Sequence, residues 1–325
     1  MRKARPPSRE KIRPILRAMS APPPAGICRL ALLQLLPGAD KPANLAAATA
    51  AIAAAAAGGA NLIALPEVFN SPYATDKFPL YAEPIPAAAS ELDPVAHPST
   101  HALSAAAARH GVFLVGGSIP ERDAASGRVY NTCVAFGPDG AILARHRKMH
   151  LFDIDIPGRI AFRESDTLSA GAALATFDTP FGRVGLGICY DMRFPLLAML
   201  LRAAGCSILL YPGAFNTTTG PAHWELLLRA RALDTQCFAA AVSVARNPSG
   251  EGYQAWGHST VVSPWGEVLA TTGEGVGAVH AELDMARVAA VREQVPVSKQ
   301  ARTDLYALEW RGGGGGVGGP AGGGR

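Results

Sequence analysis

Three reactive side chains close three apolar runs. Glu67 ends LIALPE (62–67), Lys148 ends ILARHRK (142–148) and Cys189 ends VGLGIC (184–189), after which the chain turns polar through YDMRFP. A free thiol has a pKa of about 8.5 and is mostly protonated at neutral pH. A neighbouring ammonium stabilises the thiolate, and a carboxylate takes the proton as attack begins. Attack on an amide carbon builds negative charge on the carbonyl oxygen. An ammonium and the backbone N–H just after the nucleophile suit that charge. The set fits acyl transfer from an amide. Taken singly, each residue also has an ordinary reading. A buried Cys is often a small core hydrophobe, Glu67 suits a loop or helix charge, and Lys148 belongs to a basic RHRK run. Separations of 81 and 41 residues do not by themselves bring the three together.

Other chemistries lack their motifs. His146 and His150 form an H-x-x-x-H pair, which serves zinc when a helix puts both rings on one face. If 142–148 is extended, the two lie about 13 Å apart, and HRKMH lacks the glutamate of H-E-x-x-H, so no metal is expected. There is no G-x-S-x-G, no P-loop and no G-x-G-x-x-G. The five cysteines (Cys28, Cys133, Cys189, Cys206, Cys237) are odd in number, scattered and free of C-x-x-C spacing. That excludes a disulfide framework or zinc cluster and points to a reducing, intracellular compartment.

The elements that must position these residues alternate. Strands are predicted at 28–35, 62–66, 112–119, 130–136, 142–147, 174–177, 184–189, 208–211, 238–244, 260–262, 268–271 and 278–283. Helices are predicted at 42–57, 98–109, 195–204, 222–235 and 285–294. The first helix is Ala-rich and stopped by Gly58-Gly59. Recurring strand–helix order indicates α/β, with antiparallel hairpins at 130–147 and 258–271 around PDG and PWGE turns. Glu67, Lys148 and Cys189 each end a predicted strand, the edge at which α/β sheets build ligand sites.

Composition bounds the rest. The 325 residues are 49% hydrophobic, enough for a sizeable core, and no Pro/Gly/Ser linker divides 26–311, which reads as one domain. The net charge of +4 is concentrated at one end. Residues 1–25 carry seven basic side chains against Glu10, so 26–325 sum to −2. The body therefore has no charge bias toward nucleic acid. The leader is either a disordered arm or an organelle transit segment, chloroplast or mitochondrial. The glycine-rich tail at 312–325 is expected to be disordered. No charge-free apolar run of about 18 residues is present to span a membrane.

With the three endings in view, the sequence resembles the nitrilase superfamily of carbon–nitrogen hydrolases. The shared stretches are LPEVFNSPY (65–73), RKMHLFDIDIPG (147–158), GICYDMRFP (187–195), YPGAFNTTTGPAHWELLLRARA (211–232) and AWGHSTVVSPWGEVLA (255–270), within roughly 28–310. The resemblance implies an α/β fold built as a four-layer α-β-β-α sandwich that assembles as a homodimer or higher homo-oligomer. It implies Cys189 as nucleophile, Glu67 as general base, Lys148 as the cation supporting the tetrahedral intermediate, and the Tyr190 N–H as second oxyanion donor. Glu164 matches a second glutamate near the lysine and substrate. No cofactor, metal, nucleic acid or membrane is implied.

Within the family, 150–171 and TTTGPAHWELL look like the omega-amidase branch. This implies hydrolysis of the terminal amide of 2-oxoglutaramate, or of 2-oxosuccinamate, with deaminated glutathione and N-carbamoyl compounds as alternative substrates. Arg193 matches a carboxylate-binding arginine of related N-carbamoyl amino acid hydrolases, or else pairs with Asp191. Tyr73 either donates its hydroxyl to substrate or forms aromatic wall, and His223 and Trp224 read as structural. Leu196 stands where relatives commonly have an acid that favours a helix start. A reading from a different class, a non-catalytic scaffold with a redox-sensitive thiol, leaves the three-residue set unexplained.

Overall fold

The computed structural model describes residues 26–158 and 160–312. The leader at 1–25 and the tail beyond Gly312, with the expectations placed on them, lie outside the described residues. Alternation of period two shapes the first strand, β1 (Ile27–Gln34). Leu30 and Leu32 join one apolar cluster, and Ala31 and Leu33 join another. A strand buried on both faces needs a layer on each side.

The first sheet continues through β2 (Leu62–Ala64), β3 (Phe113–Val115), β4 (Ile119–Arg122), β5 (Val129–Phe136) and β6 (Ile142–Arg147). β1, β2 and β3 run parallel, with Leu30 beside Leu62 and Leu62 beside Phe113. β5 is antiparallel to β3, β4 and β6. A separate hairpin, β7 (Asp153–Ile156) and β8 (Ile160–Arg163), follows. The second sheet comprises β9 (Thr176–Thr179), β10 (Gly182–Leu186), β11 (Cys206–Gly213), β12 (Phe238–Ser243), β13 (Thr260–Val262) and β14 (Val268–Thr271), hydrogen-bonded in that order. Its centre, β10 to β12, is parallel, and its ends are antiparallel hairpin partners. The last strand, β15 (Gly277–Asp284), returns to the first sheet beside β1.

Helices complete the layers. α1 (Lys41–Ala57) is capped by Asp40, whose Oδ1 accepts the Ala43 N–H at 3.0 Å, and ends at Gly58. α2 (Pro98–His110) stops at Gly111 in the left-handed region. Both set Ala48, Ile52, Leu103 and Ala107 against Ala31, Ile63 and Leu114 of the first sheet. α3 (Pro195–Ala203) and α4 (Gly220–Thr235) place Leu197, Leu201, Trp224 and Leu228 on the second sheet. One cluster runs between sheets, from Leu30, Leu62 and Val115 to Leu186, Val242 and Val261. The result is the expected α-β-β-α sandwich.

Several expected elements differ in detail. The strand expected over 112–119 is two, β3 and β4, because Gly117 adopts φ +64°. The strand expected over 184–189 ends at Leu186, and Cys189 opens a short 3-10 turn, Cys189–Arg193. β7 and β8 were not anticipated from the pattern of 150–163. α3 starts with Pro195 in its first turn, no acid there, and Leu196 exposed. Among the described residues no helix is long and apolar enough to cross a membrane.

Candidate active site

Glu67 sits three residues beyond β2, on a loop clamped by the break between β3 and β4. A Cβ on Gly117 would lie 2.2 Å from the Pro66 carbonyl oxygen, so only glycine allows this approach. The next residue secures the loop. The Ser118 N–H donates to the Pro66 carbonyl at 3.2 Å, its hydroxyl oxygen accepts the Val68 N–H at 3.0 Å, and its carbonyl accepts the Phe69 N–H at 3.2 Å. Val68 itself has φ +50° and Cys189 has φ +45°. For non-glycine residues such conformations cost about 1–3 kcal/mol each. One adjoins Glu67 and the other carries the Cys189 thiol itself.

Lys148 directly follows β6, and its N–H donates to the Asn131 carbonyl at 2.8 Å. The Lys148 ammonium is fully buried and donates to Glu67 Oε1 and Glu164 Oε1, both at 2.8 Å. Asn131 Nδ2 donates to Glu67 Oε1 at 2.8 Å. Glu164 also accepts the Tyr73 hydroxyl at 2.9 Å and the Phe152 N–H at 2.7 Å. Glu67 Oε2 is buried with no hydrogen-bond partner, and the nearby Cys189 thiol acts on this carboxylate. The structure thus brings Glu67, Lys148, Glu164 and Cys189 together.

Burial sets their protonation. It pushes Glu67 above its ordinary value, against the opposing pull of Lys148 and with a further push from Glu164. It lowers Lys148, but the two carboxylates outweigh it and the ammonium stays charged. Burial and the Glu67 charge raise Cys189 well above the usual thiol range, Lys148 and the Ala214 N–H opposing. At rest Cys189 is therefore a thiol rather than a thiolate. The Ala214 N–H points at Cys189 Sγ at 3.5 Å.

Asp191 organises the turn that carries the thiol. Its Oδ2 accepts the Ile188 N–H at 2.9 Å and meets His146 Nε2 at 2.8 Å. Its Oδ1 accepts the His150 N–H at 3.0 Å and meets His150 Nδ1 at 2.7 Å. The histidines flank Lys148 in sequence, so one carboxylate of the second sheet's turn grips both sides of the first sheet's lysine. This corrects the separation expected of the H-x-x-x-H pair. β6 ends at Arg147, and the chain bends back so that both rings reach Asp191. The first amide of the turn with a backbone acceptor is Asp191 N–H, on the Ile188 carbonyl at 2.9 Å. The Tyr190 N–H lies one residue earlier, at the open amino end.

Arg193 does not pair with Asp191. Its Nη1 lies 3.0 Å from His223 Nδ1, its Cζ stands 4.5 Å from the Phe215 ring centroid, and its Nε is buried without a partner. The Tyr73 hydroxyl donates a hydrogen bond to Glu164, while its ring packs 4.5 Å from Tyr253 and 5.7 Å from Phe162. Tyr253 in turn donates to the Ala214 carbonyl at 2.5 Å. Trp224 is structural, donating to the His258 carbonyl at 2.6 Å. His223 touches Arg193 and so belongs to the site. The sequence pattern singles out neither Asn131 nor Tyr253 and offers Asp191 only as a partner for Arg193. An Asn inside the wholly buried β5 was the one available signal. Among the described residues no group of three His, Cys, Asp or Glu side chains is placed to hold a metal ion, and the five cysteines are free and buried.

A sandwich with this cluster at its seam defines a class. The carbon–nitrogen hydrolase family matches residues 29–293, and the chain belongs to it. Omega-amidase NIT2 of Homo sapiens is 53% identical over 283 residues, spanning 87% of this chain and 98% of the relative. Omega-amidase NIT2-B of Xenopus laevis is 54% identical over 281 residues, 86% and 97% of the two chains. Among solved structures, Nit3 of Saccharomyces cerevisiae, a member of branch 10 of the nitrilase superfamily, superposes with a TM-score of 0.78. It shares 43% identity, covering 86% of this chain and 98% of that one.

Proposed function

We propose that the chain is an omega-amidase, hydrolysing the terminal amide of 2-oxoglutaramate to 2-oxoglutarate and ammonia, and of 2-oxosuccinamate to oxaloacetate. The observation that carries this reading is the buried Lys148 ammonium, held at 2.8 Å by Glu67 and Glu164 beside the Cys189 thiol. The similarity to omega-amidases over most of the chain supports the substrate class.

Glu67 accepts the thiol proton as Cys189 Sγ bonds to the amide carbon. Lys148 and the Tyr190 N–H hold the oxygen that gains charge. Glu67 passes the proton to the amide nitrogen, the C–N bond breaks and ammonia leaves a Cys189 thioester. Water then gives a proton to Glu67 and attacks the thioester carbon. The C–S bond breaks, the thiolate regains that proton, and the acid departs. Glu164 and Tyr73 keep Lys148 in place, and Arg193 receives the far carboxylate. No cofactor enters these steps. The protein works inside the cell, as its free buried thiols suit. It assembles as a homodimer or higher homo-oligomer, and Leu196 of α3 and Leu226 of α4, 64% and 66% exposed, are apolar surface open to such a contact.

Ammonia release at equal concentrations of 2-oxoglutaramate, deaminated glutathione and an N-carbamoyl amino acid tests the assignment. The 2-oxo amide is expected to show the highest kcat/KM, and a large margin for either rival refutes it. Mass spectrometry of enzyme quenched in turnover should find an acyl adduct on Cys189.

A further inference from the structure

We infer that His223 holds the Arg193 guanidinium ready for the substrate's far carboxylate, and that the pocket takes carboxylate-bearing amides well only while this imidazole is neutral. The inference rests on the omega-amidase reading and adds a positioning residue to it.

A guanidinium has five N–H donors and no acceptor. With Arg193 Nη1 at 3.0 Å, His223 Nδ1 must offer its lone pair, which places the imidazole's proton on Nε2. The fork rests over Phe215 at 4.5 Å and Tyr190 at 5.5 Å. Two aromatic faces and one imidazole therefore fix it in position and angle. The acid expected to satisfy it, Asp191, is occupied by His146, His150 and the Ile188 N–H. Among the described residues no carboxylate pairs with Arg193, and its Nε–H is left buried and unused. An oriented cation with a spare donor, four residues from the nucleophile, is a receptor for a carboxylate.

Protonating His223 removes the lone pair and sets a second cation against the first. The groups facing Arg193 offer no compensating charge. Cys189 and Tyr190 share its turn and Tyr253 comes from the 244–259 connection, and burial keeps both Cys189 and Tyr253 protonated. The charged group that bears on His223, itself on α4, is Arg193. Burial and that guanidinium hold the imidazole below its usual range, so the neutral form persists into mild acid.

The test compares KM and kcat against pH for 2-oxoglutaramate and for pentanamide, an amide of equal length without a carboxylate. In the wild type, KM for 2-oxoglutaramate should rise as pH falls through the His223 titration, while pentanamide shows no such rise. His223→Leu should raise KM for 2-oxoglutaramate about tenfold at every pH, with a smaller change in kcat. His223→Asn, whose Oδ1 accepts without titrating, should recover most of that loss and abolish the acid rise in KM. The inference fails if His223→Leu leaves KM in place, or if His223→Asn keeps the acid rise. The asparagine profile decides alone should the leucine variant not fold. Arg193→Met separates the two levels. If it does not raise KM for 2-oxoglutaramate over pentanamide, Arg193 is not the carboxylate receptor and the inference falls, whereas the omega-amidase reading falls only if a rival amide wins the substrate comparison.

Discussion

Replacing Asp191 with asparagine should weaken the fold and the chemistry together. Asp191 is 1% exposed and meets four partners through its two oxygens. Asparagine keeps one oxygen, enough for the His150 N–H and Nδ1. The new amide nitrogen then faces the Ile188 N–H and His146 Nε2. His146 can answer by shifting its proton to Nδ1, which is buried and unpartnered, but the Ile188 N–H has no alternative. An orphaned buried donor costs about 1–3 kcal/mol, and the opposed donors add to it. We expect a loss of about 2–4 kcal/mol, a large share of the roughly 5–15 kcal/mol typical of domains. The urea midpoint should fall by about 1 M.

The pH dependence carries a sign. Burial disfavours the Asp191 charge, but the histidine and backbone hydrogen bonds outweigh it and hold the carboxyl well below its ordinary range. A depressed carboxylate contributes fully above its unfolded pKa of about 3.9 and loses that contribution only as pH falls through the lower folded value. The gap between wild type and Asp191→Asn should therefore stay constant from pH 8 to about 5 and narrow below about 4. Since both histidines flank Lys148, kcat should drop about tenfold or more. A variant with an unmoved midpoint and intact turnover would show that Asp191 does not hold the site together.

Further outcomes follow from neighbouring features. Gly117→Ala forces a Cβ onto the Pro66 carbonyl at φ +64°; it should cost more than about 1 kcal/mol in denaturant melts and lower kcat through the Glu67 loop. Lys148→Met removes the shared counter-ion and should cut kcat by about 10²–10³-fold, as steady-state ammonia release will read. Arg202→Met should stabilise by about 1–3 kcal/mol, because Arg202 Nε and Nη1 are buried without partners and Arg292 repels the charge; a lower melting temperature would refute this. The acid limb of kcat/KM on a neutral amide should lie above the ordinary glutamate value of about 4.3, since burial raises Glu67.

Sequence patterns carried much of the architecture. The hairpin strands 260–262 and 268–271 were legible to the residue because β-branched runs frame a Gly-containing turn. β5 and β6 were nearly so, around PDG. The break at 116–118 was hidden, because what forces it is the close approach of Pro66 to Gly117, 51 positions apart in the chain and in contact only in space. The reactive residues were visible as strand endings, whereas their support was not. Asp191 reaches His146 across 45 residues, and Arg193 reaches His223 across 30. Such pairings leave no periodicity, and a polar residue following a strand reads as ordinary turn chemistry until the partner is seen.

Glu67 and Lys148 hang from one sheet and Cys189 from the other, so turnover measures the alignment of two slabs. A small slide of one slab over the other would separate sulfur from carboxylate while every ladder stayed intact. Heating or mild denaturant should silence the enzyme before circular dichroism registers any change, which makes ammonia release the sharper gauge of native packing in this molecule.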